Sequence, residues 1–138
     1  LASNPAIMDT TGGDEVLRYG SPVMYFRRNA TTDMDYKGHH IAEGDKVSIW
    51  FIAANHDEDV FDSPETFDLT RDPNPHVAFG GGGPHHCLGA HLARLEIRVL
   101  FEELIARVSR IEPLGPPVRL RSNFINGIKH LPVRLVAK

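Results

Sequence analysis

The chain has 138 residues, 41% of them hydrophobic and 24% charged, with 15 basic against 18 acidic residues and a net charge of -3 at pH 7. That is the composition of a soluble globular protein with one modest core; it excludes a disordered tail and encodes no general attraction to nucleic acid or an anionic membrane, so small molecules or proteins are the expected partners. A single cysteine, Cys87, excludes an internal disulfide, and no apolar run has the length of a membrane span or a signal peptide, which points to the cytoplasm. The sequence opens at Leu1, and its 10 prolines and 12 glycines make it rich in loops. Part of a longer protein is expected.

In chain order, Asp14 to Tyr19 predict a short helix, weakened at its start by Gly12 and Gly13 and stopped by Pro22. From Val23 to Ile52 the stretches PVMYFRRNA and KVSIWFI are rich in β-branched and aromatic residues, and YKGHHIAEGD between them supplies two Gly turns. This predicts a small antiparallel meander and not a nucleotide-binding crossover. Repeated Asp and Pro across residues 53–78 predict an irregular coil of a length usually reserved for function. Leu88 to about Val108 predicts the clearest helix, with a polar stripe of His91, Arg94, Arg98 and Glu102. Its apolar stripes, Leu88, Leu92, Leu95 and Val99 on one side and Ile97, Phe101, Leu104 and Val108 on another, predict burial on most sides. Pro113, Pro116 and Pro117 end it, and the remainder reads as a β-hairpin turning near Asn126 and Gly127. There is no internal repeat, and the fold class is mixed α and β.

The chemistry concentrates in FGGGGPHHCLGAHLAR, residues 79–94. A phosphate cradle would need a Lys and a Ser or Thr at the head of the helix, where Cys87, Leu88 and Gly89 stand. A zinc site could draw on His85, His86, Cys87 and His91, without a second ligand pair or any C-x-x-C. A nucleophilic Cys87 could borrow a base from the eight histidines, without protease-like surroundings. The residues alone favour none of the three. A fourth chemistry is haem: Gly82, Gly83 and Gly89 would let a flat macrocycle approach the backbone. Cys87, at the mouth of a helix, would have its thiolate stabilised by the helix's positive end, as an iron ligand requires.

This segment resembles the haem-binding loop of cytochrome P450, a pattern of Phe, then Gly, then His or Arg two before the Cys, then Gly two after it. Phe79, Gly83, His85, Cys87 and Gly89 fill those roles, with Phe79 one residue further from Cys87 than in the commonest form, as in a group of actinobacterial members. DEVLRY is similar to the family's E-x-x-R, with Glu15 and Arg18 on one helical face. The family joins that pair to an Arg in a PERF-like stretch; PETFD, from Pro64 to Asp68, matches it with Thr66 in place of the Arg, and Arg71 is the substitute considered.

The resemblance implies the C-terminal part of the P450 fold: a short E-x-x-R helix, a small antiparallel meander, an irregular coil, the Cys loop, a long buried helix and a C-terminal hairpin. Residues 1–138 would then be a partial domain, with the oxygen-activating helix lying before Leu1. It implies haem b as cofactor, with Cys87 as catalytic residue and axial iron ligand. Arg28 matches a partner of a haem propionate, although spacing counted from Arg18 would choose Arg27, and His85 matches a second propionate partner. Val23 and Phe26, with Phe124 and Ile125, match two substrate-contacting segments, and Phe124 and Ile125 are equally suited to a core. The implied activity is a monooxygenase inserting one oxygen atom of dioxygen into a hydrophobic, lipid-like or sterol-like substrate, with electrons from a ferredoxin-type donor. The alternative is a truncated haem- or metal-binding module without oxygenase activity. His39, His40, His56, His76, His86 and His130 are read as solvated or core residues, and RDPNPH, residues 71–76, as turn chemistry.

Overall fold

The computed structural model describes residues 4–138. A 3-10 turn, Pro5–Asp9, leads into helix α1, Gly12–Gly20. The two glycines at its head are required by packing: a Cβ on Gly12 would stand 2.9 Å from Met8 Sδ and 3.0 Å from the Ile7 carbonyl oxygen. They let the 3-10 turn lie against the helix and bury Met8. After Ser21, which closes α1 in the left-handed conformation, come strands β1 (Tyr25–Asn29), β2 (Met34–Tyr36), β3 (His39–Ile41) and β4 (Lys46–Trp50).

These strands form nested hairpins and not the expected meander: β1 pairs antiparallel with β4, and β2 with β3 inside it. The cause is the turn chemistry. Lys37 and Gly38 both take positive φ, which closes β2 onto β3 as a two-residue hairpin. Gly44, at φ +87, then donates to the Ala30 carbonyl, while the Ala30 N–H donates to Asp45, and β4 is returned to β1. The strand expected to reach Ile52 stops at Trp50, where Phe51 turns inward to start the one-turn helix α2, Phe51–Ala54.

The irregular stretch expected over residues 53–78 starts at Asn55, after α2, and continues through the glycine loop to residue 89; helix α3, Ala90–Arg107, begins two residues later than the expected Leu88. The expectation that α3 is buried on most sides is not met. Its Ala90, Ala93 and Ile97 pack on Leu17, Ala78 and Phe79, but Leu92, Leu95, Val99 and Leu100 are 43–58% exposed. Among the described residues no element covers that second stripe. The C-terminal segment is again nested: β5 (Val108–Pro113) pairs with β8 (Val133–Ala137), and β6 (Val118–Arg119) with β7 (Ile128–His130). The single expected hairpin is thus two, with Asn126 and Gly127 in the connection between β6 and β7.

What holds the irregular stretch is a buried polar network. Glu15 and Arg18, both 0% exposed, form a two-pronged ion pair: Nε to Oε2 at 2.8 Å and Nη2 to Oε1 at 2.8 Å. Arg18 spends its other donors on the carbonyls of Asn55 (2.7 Å), Pro64 (2.9 Å) and Thr66 (3.1 Å). Glu15 in turn accepts from the Asp68 N–H at 2.9 Å and from Asn74 Nδ2 at 3.0 Å. Burial pushes the Glu15 carboxyl up, but the Arg18 hydrogen bonds, the Asp68 amide and the charges of Arg18 and Arg71 outweigh it, holding the group below its ordinary value.

Removing one partner of a buried pair leaves an uncompensated charge, at about 3–5 kcal/mol. Arg18→Ala is therefore expected to lower unfolding free energy by about that amount in denaturant titrations, whereas Arg107→Ala, whose pair with Glu103 is mostly exposed, should cost under about 1 kcal/mol. Because the Glu15 value is depressed on folding, its contribution is present above its unfolded value of 4.5 and lost as pH falls through the lower folded value. The stability gap between the unsubstituted protein and Glu15→Gln should shrink across that acid window; a gap that widens would contradict the assignment. Gly12→Ala should lower Tm, since an overpacking cost of about 1–3 kcal/mol exceeds the roughly 1 kcal/mol gained in helix propensity.

Candidate functional site

The loop before α3 owes its shape to glycine. Gly80, Gly82 and Gly83 have φ of +90°, +92° and +75°, a region that side-chain-bearing residues rarely adopt. The loop is closed by the Cys87 N–H donating to the Phe79 carbonyl at 2.9 Å and braced by His86 N–H to the Gly83 carbonyl at 3.1 Å. Cys87 is thereby presented three residues before the first residue of α3, its carbonyl accepting from the Ala90 N–H at 3.2 Å. It is a free, exposed thiol.

Cys87 opens on a cavity of about 610 Å³, in the range usual for small-molecule sites. One wall is the loop itself, from Val77 to Gly82 with His85 and Cys87; the other is formed by Val23, Phe26, Arg28, Ile49, Phe51 and Ala54. The lining is mainly apolar, with a thiol on one wall and two basic side chains, Arg28 and His85. A second space of about 590 Å³, between the two nested hairpins, adjoins it at Arg28 and Ile49.

Of the expected site residues, the structure brings together Cys87, His85, Phe79, Arg28, Val23 and Phe26 around one cavity. Arg27 is not among its lining residues. Gly83 and Gly89 do not line it either: Gly83 bends the loop and Gly89 caps α3, while Gly80, Gly81 and Gly82 take the expected place against the cavity. Phe124 and Ile125 stand one layer behind. The Phe124 ring is 5.5 Å from that of Phe26 and 5.9 Å from that of Tyr25, and Ile125 bridges to Val23. The backbones are joined by Met24 N–H to the Phe124 carbonyl and Asn126 N–H to the Pro22 carbonyl, each at 2.9 Å.

Glu15 and Arg18 lie outside the cavity, in the network beneath the coil. Thr66 contributes only its carbonyl there, accepting from Arg18 and from Arg71 Nη2 at 3.2 Å. Arg71 is the side chain that approaches the pair, with Nε 3.3 Å from Glu15 Oε2, though not aligned for a hydrogen bond. Sequence reasoning missed Asn55, Ser21, Asp14 and His76. Asn55 and Ser21 are 0% exposed and hydrogen-bonded to each other at 3.0 Å, and Asn55 Oδ1 accepts from the Val77 N–H at 2.8 Å. Nothing in a hydropathy pattern marks such residues, because in a coil they read as turn formers.

The fit of a haem can be judged from these walls. A Cβ built on Gly81 or Gly82 meets nothing within 4 Å, so a flat ligand can lie directly on the loop backbone. The thiol, the apolar walls and the two basic groups match, respectively, an iron ligand, a macrocycle and two carboxylates. Zinc fits less well: among the described residues no group of three or more His, Cys, Asp or Glu side chains is gathered to hold a metal ion, so His85, His86, Cys87 and His91 do not converge.

The cytochrome P450 family model matches residues 14–123. The chain is 54% identical over 123 residues to the methyl-branched lipid omega-hydroxylase of Mycobacterium bovis, covering 89% of this chain and 29% of that protein. It is 44% identical over 120 residues to the steroid C26-monooxygenase of Mycolicibacterium smegmatis, covering 87% of this chain and 28% of that one. Among solved structures, the bacillaene polyketide synthase cytochrome P450 PksS of Bacillus subtilis superposes with a TM-score of 0.93 at 39% identity, over 99% of this chain and 36% of its own. A Mycobacterium marinum cytochrome P450 in complex with pseudoionone gives 0.88 at 44% identity, over 93% and 30%. The chain spans less than a third of the length of these curated relatives. The family model's match extends from the Glu15–Arg18 helix through the Cys87 loop and α3, and on that ground, with these relatives, the chain belongs to the cytochrome P450 family.

Proposed function

We propose that this chain is the haem-thiolate portion of a monooxygenase that inserts one oxygen atom of dioxygen into a hydrophobic, lipid-like or sterol-like substrate. The observation that carries the reading is that the exposed thiol of Cys87 opens on the same apolar cavity as Arg28 and His85. Relatives named for a methyl-branched lipid and for a steroid support the substrate class. A ferredoxin-type electron donor and a cytoplasmic location belong to the same reading.

Haem b bound here would supply the iron centre at which dioxygen is activated. The protein's own groups have separate tasks. Cys87 Sγ would ligate the iron as a thiolate and donate electron density to it. Arg28 and His85 would give charge-assisted hydrogen bonds to the two propionates and so fix the seating of the ring. Val23 and Phe26, backed by Phe124 and Ile125, would keep water from the apolar wall.

The reading is tested by supplying haem during expression and recording the ferrous carbon monoxide difference spectrum beside Cys87→Ser. A red-shifted Soret band, lost in the variant, is the expected result; a histidine-type spectrum surviving in Cys87→Ser would contradict it. Arg28→Ala should speed haem loss by about 10- to 100-fold, the effect of one charge-assisted hydrogen bond of roughly 1.5–3 kcal/mol, while Arg27→Ala should change it little. Haem transfer to an acceptor apoprotein measures both.

A further inference from the structure

We infer that His76 is a positioning residue for the Cys87 loop, an assignment that rests on the haem-thiolate reading. The His76 side chain is 4% exposed; Nδ1 accepts from the Ala78 N–H, and Nε2 lies within ion-pair distance of Asp14. Nδ1 lies 3.2 Å from the Ala78 backbone nitrogen, whose N–H can only donate, so this ring nitrogen carries no proton. The ring proton therefore sits on Nε2, which is 3.2 Å from Asp14 Oδ1. The ring thus sits between a backbone donor on one side and a carboxylate on the other.

That geometry reaches Cys87 in two short steps. The amides of Val77 and Ala78, the two residues ahead of Phe79, are held by buried side chains in place of a strand partner: Val77 by Asn55 Oδ1 at 2.8 Å and Ala78 by His76. Phe79 then accepts the Cys87 N–H through its carbonyl. The Asp14 oxygen that faces His76 also accepts from Arg94 Nε at 2.7 Å, and the Arg94 guanidinium lies 4.7 Å from the centre of the Phe79 ring. Phe79 is thus held by His76 through the preceding Ala78 amide and by Arg94 through its ring, and both side chains face Asp14 Oδ1. Loss of the Ala78 hydrogen bond frees the segment whose carbonyl anchors Cys87, and the thiolate loses its aim at the cavity.

The two sides of the ring can be tested apart in the haem-loaded protein. His76→Asn places an amide oxygen near the Nδ1 position and keeps an acceptor for Ala78; His76→Gln places an amide nitrogen near Nε2 and keeps a nitrogen facing Asp14, without the acceptor for Ala78. His76→Gln is expected to lose haem about tenfold faster, in line with other supporting residues behind a metal ligand, and to show a diminished red-shifted carbon monoxide band and a displaced reduction potential. His76→Asn should stay within about twofold of the unsubstituted protein in all three. A purely space-filling role would make the two variants alike, and equal behaviour overturns the assignment. Nitrogen NMR of the unsubstituted ferrous carbon monoxide form tests it without any variant: the Nε2–H tautomer is expected, and an Nδ1–H or doubly protonated ring overturns it. A histidine-type spectrum of the unsubstituted protein would overturn the haem-thiolate reading as well, which separates the two failures.

Discussion

The arrangement depends on one guanidinium. Arg18 has no exposed surface, so its five N–H bonds must all find acceptors inside the protein, and they find five: both oxygens of Glu15 and the carbonyls of Asn55, Pro64 and Thr66. Three of those acceptors belong to a coil without secondary structure of its own. The coil is therefore ordered by a side chain that comes from a helix some fifty residues earlier or less, and the segment that carries Phe79 and Cys87 begins where that coil ends. A buried pair of charges is a poor source of net stability, since desolvation opposes most of the attraction. What it supplies is selectivity, because few backbone arrangements satisfy every donor, and any other leaves a charge or a carbonyl without a partner in a dry interior.

The second constraint is the glycine loop, which acts on the other face of the same segment. Three positive-φ glycines bend the chain so that the Cys87 amide returns to Phe79, and the lack of side chains leaves the cavity wall flat. The apolar half of the cavity comes from β1, β4 and the start of α2, held against the C-terminal segment through Val23 and Ile125. Loop and sheet thus form the two walls of the space in front of the thiol, and the network braces the coil that leads into the loop.

Much of this was legible before the structure, for stated reasons. Glu15 and Arg18 stand three residues apart on a short helix, a spacing that places them on one face, and the Cys87 loop is dense with unusual residue types. The choice between Arg27 and Arg28 is left open by the sequence, where spacing from Arg18 favours Arg27; in the structure Phe26 and Arg28 share a face of β1 and line the cavity while Arg27 does not. Strand pairing was not legible, because alternation identifies strands without saying which partner each will take. The burial of α3 is not legible for a related reason: the stripe Leu92, Leu95 and Val99 shows a face suited to burial, not that a neighbour is present to cover it. Gly12 and Gly13 looked like a weak helix start and are instead the contact that admits Met8. Asn55 and His76 left no signal, since a polar residue in a coil is ordinary until the amide it holds is known.

The network beneath the coil reaches the thiol-bearing loop through Asn55, whose side chain holds the Val77 amide. Amide hydrogen exchange of the haem-loaded protein, compared with Arg18→Lys, tests it most directly, because lysine keeps the charge but cannot reach both Glu15 oxygens and three carbonyls at once. The account predicts faster exchange not only around residues 55–74 but also at Val77, Ala78 and Cys87, whose amides are bonded to Asn55, His76 and Phe79. Faster exchange confined to the coil, with those three amides as protected as before, would show that the loop holds its shape without the network and would contradict the account.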